Sequence, residues 1–197
     1  MTQRQEQEAG PKCRRMYDRY KKADFVIDDK SYFSLSHDDL PGNDRFYSSN
    51  RDKTPGIAKY KYKEKFGPKV LVWLAISPKG CSEPHFRPSG LAINQEAYKE
   101  ILQDYLDPFL NKYYREGEYV FWPDQASSHY ALSVQEYLKS KNIPFVPKDI
   151  NPANVPKARP IEDFWGNLKA KVYEEDWKAR NIQELKERIK LCISRLD

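Results

Sequence analysis

The chain has 197 residues, enough for one well-cored α/β domain and too few for two of ordinary size. Aromatic residues make up 14% of the chain and charged residues 32%, with a formal net charge of +5, a composition that excludes intrinsic disorder and predicts a strongly charged surface. The chain has no apolar run long enough for a membrane span and no secretory signal at its start, so we expect a soluble intracellular protein. Its three cysteines are widely spaced, so we expect neither a disulfide framework nor a zinc site.

The first third of the chain predicts an arm, a strand and a long loop. Residues 1–22 are rich in Gln, Glu, Arg and Lys, with little apolar periodicity, and predict an arm or a solvated helix. Asp24–Phe33 alternates apolar side chains and predicts the first strand. The loop at 37–68 is too long for an idle hairpin connection. It contains most of a basic run, Arg51–Lys69, in which seven Lys or Arg stand against two acids, so it predicts a polyanion contact or, more simply, a solvated insertion.

The remaining predicted elements alternate between strands and helices. Val70–Ser77 is a continuous apolar run typical of a central strand, and a tight turn leads from it to a third strand at 82–87. Then follow a helix at 94–114, a strand at 117–122, a helix at 132–138, a strand at 143–146, and helices at 160–172 and 182–196. This order predicts that residues 23–197 form one α/β domain with the ribonuclease H-like fold, a mixed five-stranded sheet flanked by helices.

Acidic residues stand in or directly after three of these elements: Asp28 and Asp29 in the first strand, Asp124 after the fourth, and Glu162 and Asp163 in a helical first turn. In a ribonuclease H-like architecture the first and fourth strands are neighbours, and this helix packs near their ends. The order therefore predicts a cluster of three carboxylates. Such a cluster suits two-metal phosphoryl transfer, because Mg²⁺ prefers hard oxygen ligands.

Register distinguishes the two acids of the first strand. Neighbouring side chains point to opposite faces, and Asp29 shares the face of the strand's packed apolar residues, so Asp29 is the predicted ligand. Each acid also has a structural interpretation. The strand pair could be a solvated strand end, Asp124 a turn former after Pro123, and the helical acids partners of the helix dipole. However, these acids all occur in elements that are neighbours in the predicted fold, and this coincidence favours a metal-binding site over three separate structural roles.

Four stretches resemble sequence blocks of the mariner-type transposases, in the Tc/mariner superfamily. DDKSYFSL is similar to their DESxFxL block, and DQASSH to their DNAxxH block. NPANVPKARPIEDFWGNLK resembles their sPDLNPIExxWxxLK block, which is the most specific of the matches. VLVWLAISPKG resembles the strand and turn between the first two blocks. The likeness covers about Asp24 to Tyr173.

The resemblance implies a ribonuclease H-like domain that cuts and rejoins double-stranded DNA with an Asp-Asp-Glu or Asp-Asp-Asp triad. Matched position by position, the triad falls on Asp29, Asp124 and Glu162, the last two 38 positions apart. These residues would hold two Mg²⁺ or Mn²⁺ ions. The resemblance further implies a homodimer, and a nuclear location if the source is eukaryotic.

The resemblance also suggests residues that contact DNA. Family members use the loop between the first two strands to clamp DNA and a partner subunit, so we expect phosphate contacts from Lys59, Lys61, Lys63 and Lys65. His129 matches the His of the second block and could lie near the scissile phosphate, or serve as a structural residue at a helix start. Lys169 either faces phosphate or is solvated.

The chain departs from the family pattern in three respects. Lys30 stands where the family usually has Glu, and Gln125 where it usually has Asn. Residues 1–22 cannot form the two helix-turn-helix units that precede the catalytic domain in the family. The sequence therefore predicts an isolated catalytic domain, from a truncated element or a host-recruited remnant, with any further DNA-binding protein supplied in trans. The alternative function is a catalytically silent DNA-binding or dimerisation module.

Overall fold

The structure, a computed structural model, describes residues 3–35, 48–50, 52–56, 67–114, 118–153, 155 and 158–196. Its strands are β1 (Asp24–Ser34), β2 (Lys69–Ser77), β3 (Gly80–Cys81), β4 (His85–Pro88) and β5 (Tyr119–Trp122). Its α-helices are α1 (Gln3–Tyr20), α2 (Gln95–Ile101), α3 (Asp107–Tyr113), α4 (Leu132–Ser140), α5 (Ile161–Val172) and α6 (Ile182–Ile193). No described helix is long and apolar enough to cross a membrane.

The five strands form one mixed sheet in the order β3-β2-β1-β5, with β4 also paired to β2. β1 runs antiparallel to β2, where Asp29 lies opposite Leu74, and parallel to β5, where Ile27 lies opposite Trp122. The predicted pairing of the first and fourth strands is therefore confirmed, and so is the ribonuclease H-like sheet. The parallel pairing brings the chain beyond Trp122 to the part of β1 that carries Asp29.

Three predicted elements differ in detail from those in the structure. Of the strand expected at 82–87, only the end is formed, as β4, and the two-residue β3 lies before it. The strand expected at 143–146 is reduced to one bridge between Phe121 and Phe145, because Pro144 and Pro147 have no N–H to donate to a ladder. The helix expected at 94–114 contains a π-helical turn, Leu102–Leu106, between α2 and α3.

The segment expected as an arm or solvated helix is α1, which packs at its C-terminal end. Met16 is 5% exposed and belongs to the core on one face of the sheet. Tyr20 meets the Phe25 ring edge-on, with the centroids 6.4 Å apart. Of the two expected forms the segment takes the helix, and its C-terminal end is packed on the sheet by Met16 and Tyr20.

The two faces of the sheet carry separate cores. One face packs against α5 and α6 and includes Ile27 and Phe33 of β1. The other packs against the layer formed by α2, α3 and α4 and includes Val26 of β1. Because side chains alternate along a strand, Asp29 lies on the α5 side and Asp28 on the opposite side. The two neighbouring acids therefore have different surroundings.

Candidate active site

Asp29 lies on β1, beneath α5. The indole Nε1 of Trp165 donates a hydrogen bond to Asp29 Oδ2 at 3.0 Å. Burial raises the pKa of Asp29 to about 6; a hydrogen bond from the Lys30 main chain opposes this shift, and the negative charges of Asp28 and Glu162 reinforce it. A nearby cation would stabilise the ionised form of such a carboxyl group.

Glu162 is in the first turn of α5, and its side chain is exposed. The buried face of α5, which includes Trp165 and Leu168, packs on the sheet and leaves Glu162 at the edge near Asp29. The half-buried Lys169 lies near both acids. Burial lowers the pKa of Lys169, whereas the charges of Asp29 and Glu162 raise it. The structure therefore brings Asp29, Glu162 and Lys169 together on one side of β1.

Asp124 follows β5 directly after Pro123. Its main-chain N–H donates to Asp28 Oδ1 at 3.2 Å, which attaches the turn to β1. Its own Oδ1 accepts a hydrogen bond from the Gln125 N–H at 2.6 Å, and its Oδ2 lies 3.8 Å from Lys30 Nζ. Asp124 thus lies in the turn that follows the strand next to β1, and its carboxylate is paired with Lys30.

The three predicted ligands do not form one metal-binding group in this arrangement. Within the described ranges, no three or more His, Cys, Asp or Glu side chains are grouped so that they could hold a metal ion. Carboxylates are the ligand type that a hard divalent ion prefers, so the donor chemistry fits Mg²⁺ or Mn²⁺. The positions fit in part: the charge of Glu162 acts on Asp29, whereas the Asp124 carboxylate faces Lys30, which an ion would have to replace.

Comparison with known proteins finds similarity to transposases in sequence and in fold. No family model matches the chain. The Tc3 transposase of Caenorhabditis elegans is 30% identical over 164 residues, a match that covers 83% of this chain and 46% of that protein. The Mos1 transposase paired-end complex with left transposon end matches all of this chain and 56% of that one, at a TM-score of 0.77 and 20% identity. In sequence the chain is similar to the Tc3 transposase, and its fold is that of the Mos1 mariner transposase catalytic domain.

A second solved structure matches this chain over nearly the whole length of both chains. The Mos1 transposase catalytic domain with Raltegravir and Mg matches 99% of this chain and 96% of that one, at a TM-score of 0.62 and 18% identity. The chain spans about half the length of the curated relative it matches. It thus corresponds in extent to the Mos1 catalytic domain.

His129 lies inside the protein. It is 2% exposed and stacks on Tyr98, with the ring centroids 3.7 Å apart and the planes at 6°. Burial lowers the pKa of His129, so the neutral ring is favoured. Neither ring nitrogen makes a hydrogen bond of ordinary geometry within the described residues, although the main chain of Asp124 is near enough to the ring to raise its pKa against the effect of burial. This placement favours the structural interpretation of His129 over a direct contact with phosphate.

The other predicted DNA contacts divide into two groups. Lys169 lies beside the candidate ligands, as described above. The other group is four lysines of the basic run Arg51–Lys69, here called the basic loop: Lys59, Lys61, Lys63 and Lys65. They lie outside the described residues, and their contact with DNA stays a prediction.

Sequence reasoning missed a buried asparagine that holds the turn after β5. Asn151 is fully buried, and its Oδ1 accepts a hydrogen bond from Trp122 Nε1 at 2.8 Å. Its Nδ2 donates to the Pro123 carbonyl at 2.9 Å and to the Tyr130 hydroxyl at 2.7 Å. The Gln125 amide donates to the Asn151 carbonyl. An Asn before Pro usually indicates a turn, so the sequence carried no signal of this burial.

Arg159, in the loop before α5, was also missed. One guanidinium nitrogen donates to the main-chain carbonyl of Asp28 at 2.7 Å, and the guanidinium carbon lies 5.1 Å from the centre of the Trp122 ring. Arg159 therefore attaches the loop that leads to Glu162 to both β1 and β5. The sequence contains one indication of its importance, its position within the stretch NPANVPKARPIEDFWGNLK, and that position did not specify a role.

Proposed function

We propose that this domain cleaves and joins DNA strands with a divalent-metal triad of Asp29, Asp124 and Glu162. The observation that supports the proposal most is the parallel pairing of β1 with β5, which brings the turn after β5, with Asp124, next to the part of β1 that carries Asp29, while the first turn of α5 lies on the Asp29 side. The raised pKa of Asp29, caused by burial and neighbouring carboxylates, fits a group that is ionised when a cation is bound.

In this proposal the side chains have distinct tasks. Asp29, Asp124 and Glu162 would supply the carboxylate oxygens that hold two Mg²⁺ or Mn²⁺ ions. Bound ions of this kind activate a water or a 3′-hydroxyl and stabilise the leaving oxygen. Trp165 holds the Asp29 carboxylate in one orientation through its hydrogen bond to Oδ2. The ammonium of Lys169, close to Asp29 and Glu162, can attract a DNA phosphate to the same edge.

Double-stranded DNA is the proposed substrate, because a Mos1 relative with this fold is described as a complex with a transposon end. A homodimer is the proposed assembly, and the nucleus the proposed location in a eukaryote. Recognition of a particular DNA end is not assigned to this domain, since the Tc3 match extends over 46% of that protein. A DNA-binding protein acting in trans could provide it.

The direct test is incubation of the chain with supercoiled plasmid and Mn²⁺. We expect nicked and linear products that depend on the metal and disappear in Asp124→Ala, because the substitution removes a ligand for the ions. Gel analysis before and after addition of EDTA measures this. Nicking that persists in Asp124→Ala would assign the activity to another site or to a contaminant.

The contact between Lys30 and Asp124 supports a second candidate, a catalytically silent DNA-binding or dimerisation module. Lys30 Nζ lies 3.8 Å from Asp124 Oδ2, so a cation of the protein already faces one proposed ligand. Calorimetric titration of Mn²⁺ into the wild type and into Lys30→Gln separates the two functions. Binding by the wild type supports the enzyme. No metal binding by either chain, together with salt-sensitive DNA binding, would support the silent module.

Counterion release predicts how the basic loop would bind DNA. Each phosphate that a Lys neutralises steepens the fall of log affinity with log salt by about 0.9 on duplex DNA. Replacing Lys59, Lys61, Lys63 and Lys65 with Gln should weaken binding to every sequence and lower the slope by roughly 2–4, since some side chains could face a partner subunit. Fluorescence anisotropy across a salt series measures the slope. An unchanged slope in the folded variant would assign the loop to protein contact or to solvent.

A further inference from the structure

A buried carboxylate outside the proposed triad contacts the elements that carry it. Asp28 is 0% exposed. Its Oδ2 accepts hydrogen bonds from Trp73 Nε1 at 2.9 Å and from the Tyr98 hydroxyl at 2.7 Å. Its Oδ1 accepts one from the main-chain N–H of Asp124 at 3.2 Å. Three donors compensate for much of the cost of burying this group.

The donors come from separate parts of the fold. Trp73 is on β2, Tyr98 is on α2, and the Asp124 N–H follows β5. A fourth contact comes from the loop before α5, where Arg159 donates to the main-chain carbonyl of Asp28 at 2.7 Å. Asp28 therefore adjoins Asp29 in the chain, binds the main chain of Asp124, and accepts a hydrogen bond from a residue three positions before Glu162.

We propose that Asp28 is a positioning residue for the metal site. Its carboxylate fixes the main chain of Asp124 against β1, and so sets the distance between Asp124 and Asp29. The proposal rests on the proposed role of the triad. Asp28 itself binds no metal in this account, because it lies on the opposite face of β1 from Asp29 and is closed off from solvent.

The two oxygens of Asp28 have separable functions, which makes the proposal testable. Oδ2 accepts from the core donors Trp73 and Tyr98, whereas Oδ1 accepts from the Asp124 main chain. Removal of an Oδ2 partner should cost stability without moving Asp124. Loss of the acceptor at Oδ1 should release the turn that carries Asp124 and weaken the metal site. A purely structural role predicts no such difference.

Asp28→Asn is the principal variant. An amide has one oxygen, and Trp73 and Tyr98 lie on rigid core elements, so we expect the oxygen to stay with them and the NH₂ group to face the Asp124 N–H. Two opposed donors would displace the half-exposed turn. Residues that orient metal ligands typically contribute about 10–100-fold to metal affinity, so we expect Mn²⁺ to bind at least about tenfold more weakly.

Tyr98→Phe is the matched control. It removes one hydrogen bond to Oδ2, keeps the stack on His129, and leaves the contact between Oδ1 and Asp124 in place. We expect a lower free energy of unfolding and a Mn²⁺ affinity within about twofold of the wild type, because replaced hydrogen bonds of this kind mainly cost stability. Calorimetry at a temperature where all chains are folded, with urea unfolding in parallel, gives both quantities.

Equal Mn²⁺ affinity in the wild type and Asp28→Asn would overturn the proposal, and so would equal losses in Asp28→Asn and Tyr98→Phe. If the wild type binds no Mn²⁺, the triad proposal fails first and this one fails with it. Hydrogen exchange in the unmutated chain gives a second measurement should Asp28→Asn not fold. The Asp124 amide should be protected, since it donates to a buried carboxylate. Exchange at the rate of an unprotected amide would overturn the proposal.

Discussion

Replacing Glu162 with Gln is expected to lower metal-dependent DNA cleavage by about 10³-fold or more, and Asp163→Asn to leave it within a few-fold. A divalent ion contributes several kcal/mol to charge stabilisation in phosphoryl transfer, and about 1.4 kcal/mol corresponds to a tenfold change in rate. The two acids are matched controls, because both are exposed in the first turn of α5. They differ in that Glu162 contributes to the raised pKa of Asp29.

Single-turnover cleavage of a labelled duplex in Mn²⁺ measures both variants. Unfolding in urea should give nearly equal stabilities, since neither side chain is buried. Equal loss of cleavage in the two variants would indicate that the charge of the helix terminus matters more than a specific ligand. Loss in Asp163→Asn alone would move the third ligand by one position.

The second large effect is on stability. We expect Asp29→Asn to raise the free energy of unfolding of the metal-free domain at pH 7 by about 2–3 kcal/mol. Burial raises the pKa of Asp29 to about 6, whereas an unfolded Asp titrates near 4, and each pKa unit corresponds to about 1.4 kcal/mol. The folded state therefore binds the proton more tightly than the unfolded state. Its stability falls as the pH rises from about 4 to about 6 and is level above that. The Asn oxygen can still accept from Trp165.

Urea unfolding at several pH values with EDTA present tests this expectation. The wild type should lose stability relative to Asp29→Asn between pH 4 and pH 6, and Mn²⁺ should then restore stability to the wild type more than to the variant. Parallel stability profiles for the two chains would contradict the proposed environment of Asp29. They would also remove the electrostatic argument that this carboxyl group requires a cation.

Local patterns in the sequence were sufficient to predict β1, the start of α5 and the face of β1 that carries Asp29. The alternation of apolar residues in β1 determines that Asp29 and Ile27 share a face, and Ile27 belongs to the core under α5. Pro160 marks the start of α5, because proline at the first turn of a helix costs no hydrogen bond. These features depend on neighbours a few positions away, so they can be read from short stretches.

The role of Asp28 could not be predicted in the same way. The sequence suggested a solvated strand end, whereas Asp28 is fully buried. Its donors Trp73 and Tyr98 lie 45 and 70 positions away, and no local pattern records a hydrogen bond over that separation. The contact between Lys30 and Asp124 has the same character, since its partners meet through the pairing of β1 with β5. Asn151 is a third case, with partners from β5 and the turn after it.

Crystals of the domain soaked in Mn²⁺ and measured at the manganese absorption edge test the central claim most directly. The account predicts an anomalous peak at the edge of the sheet bound by Asp29, Asp124 and Glu162, with Asp124 Oδ2 moved away from Lys30. A peak bound without Asp29 and Asp124, or no peak there at saturating Mn²⁺, would contradict the account.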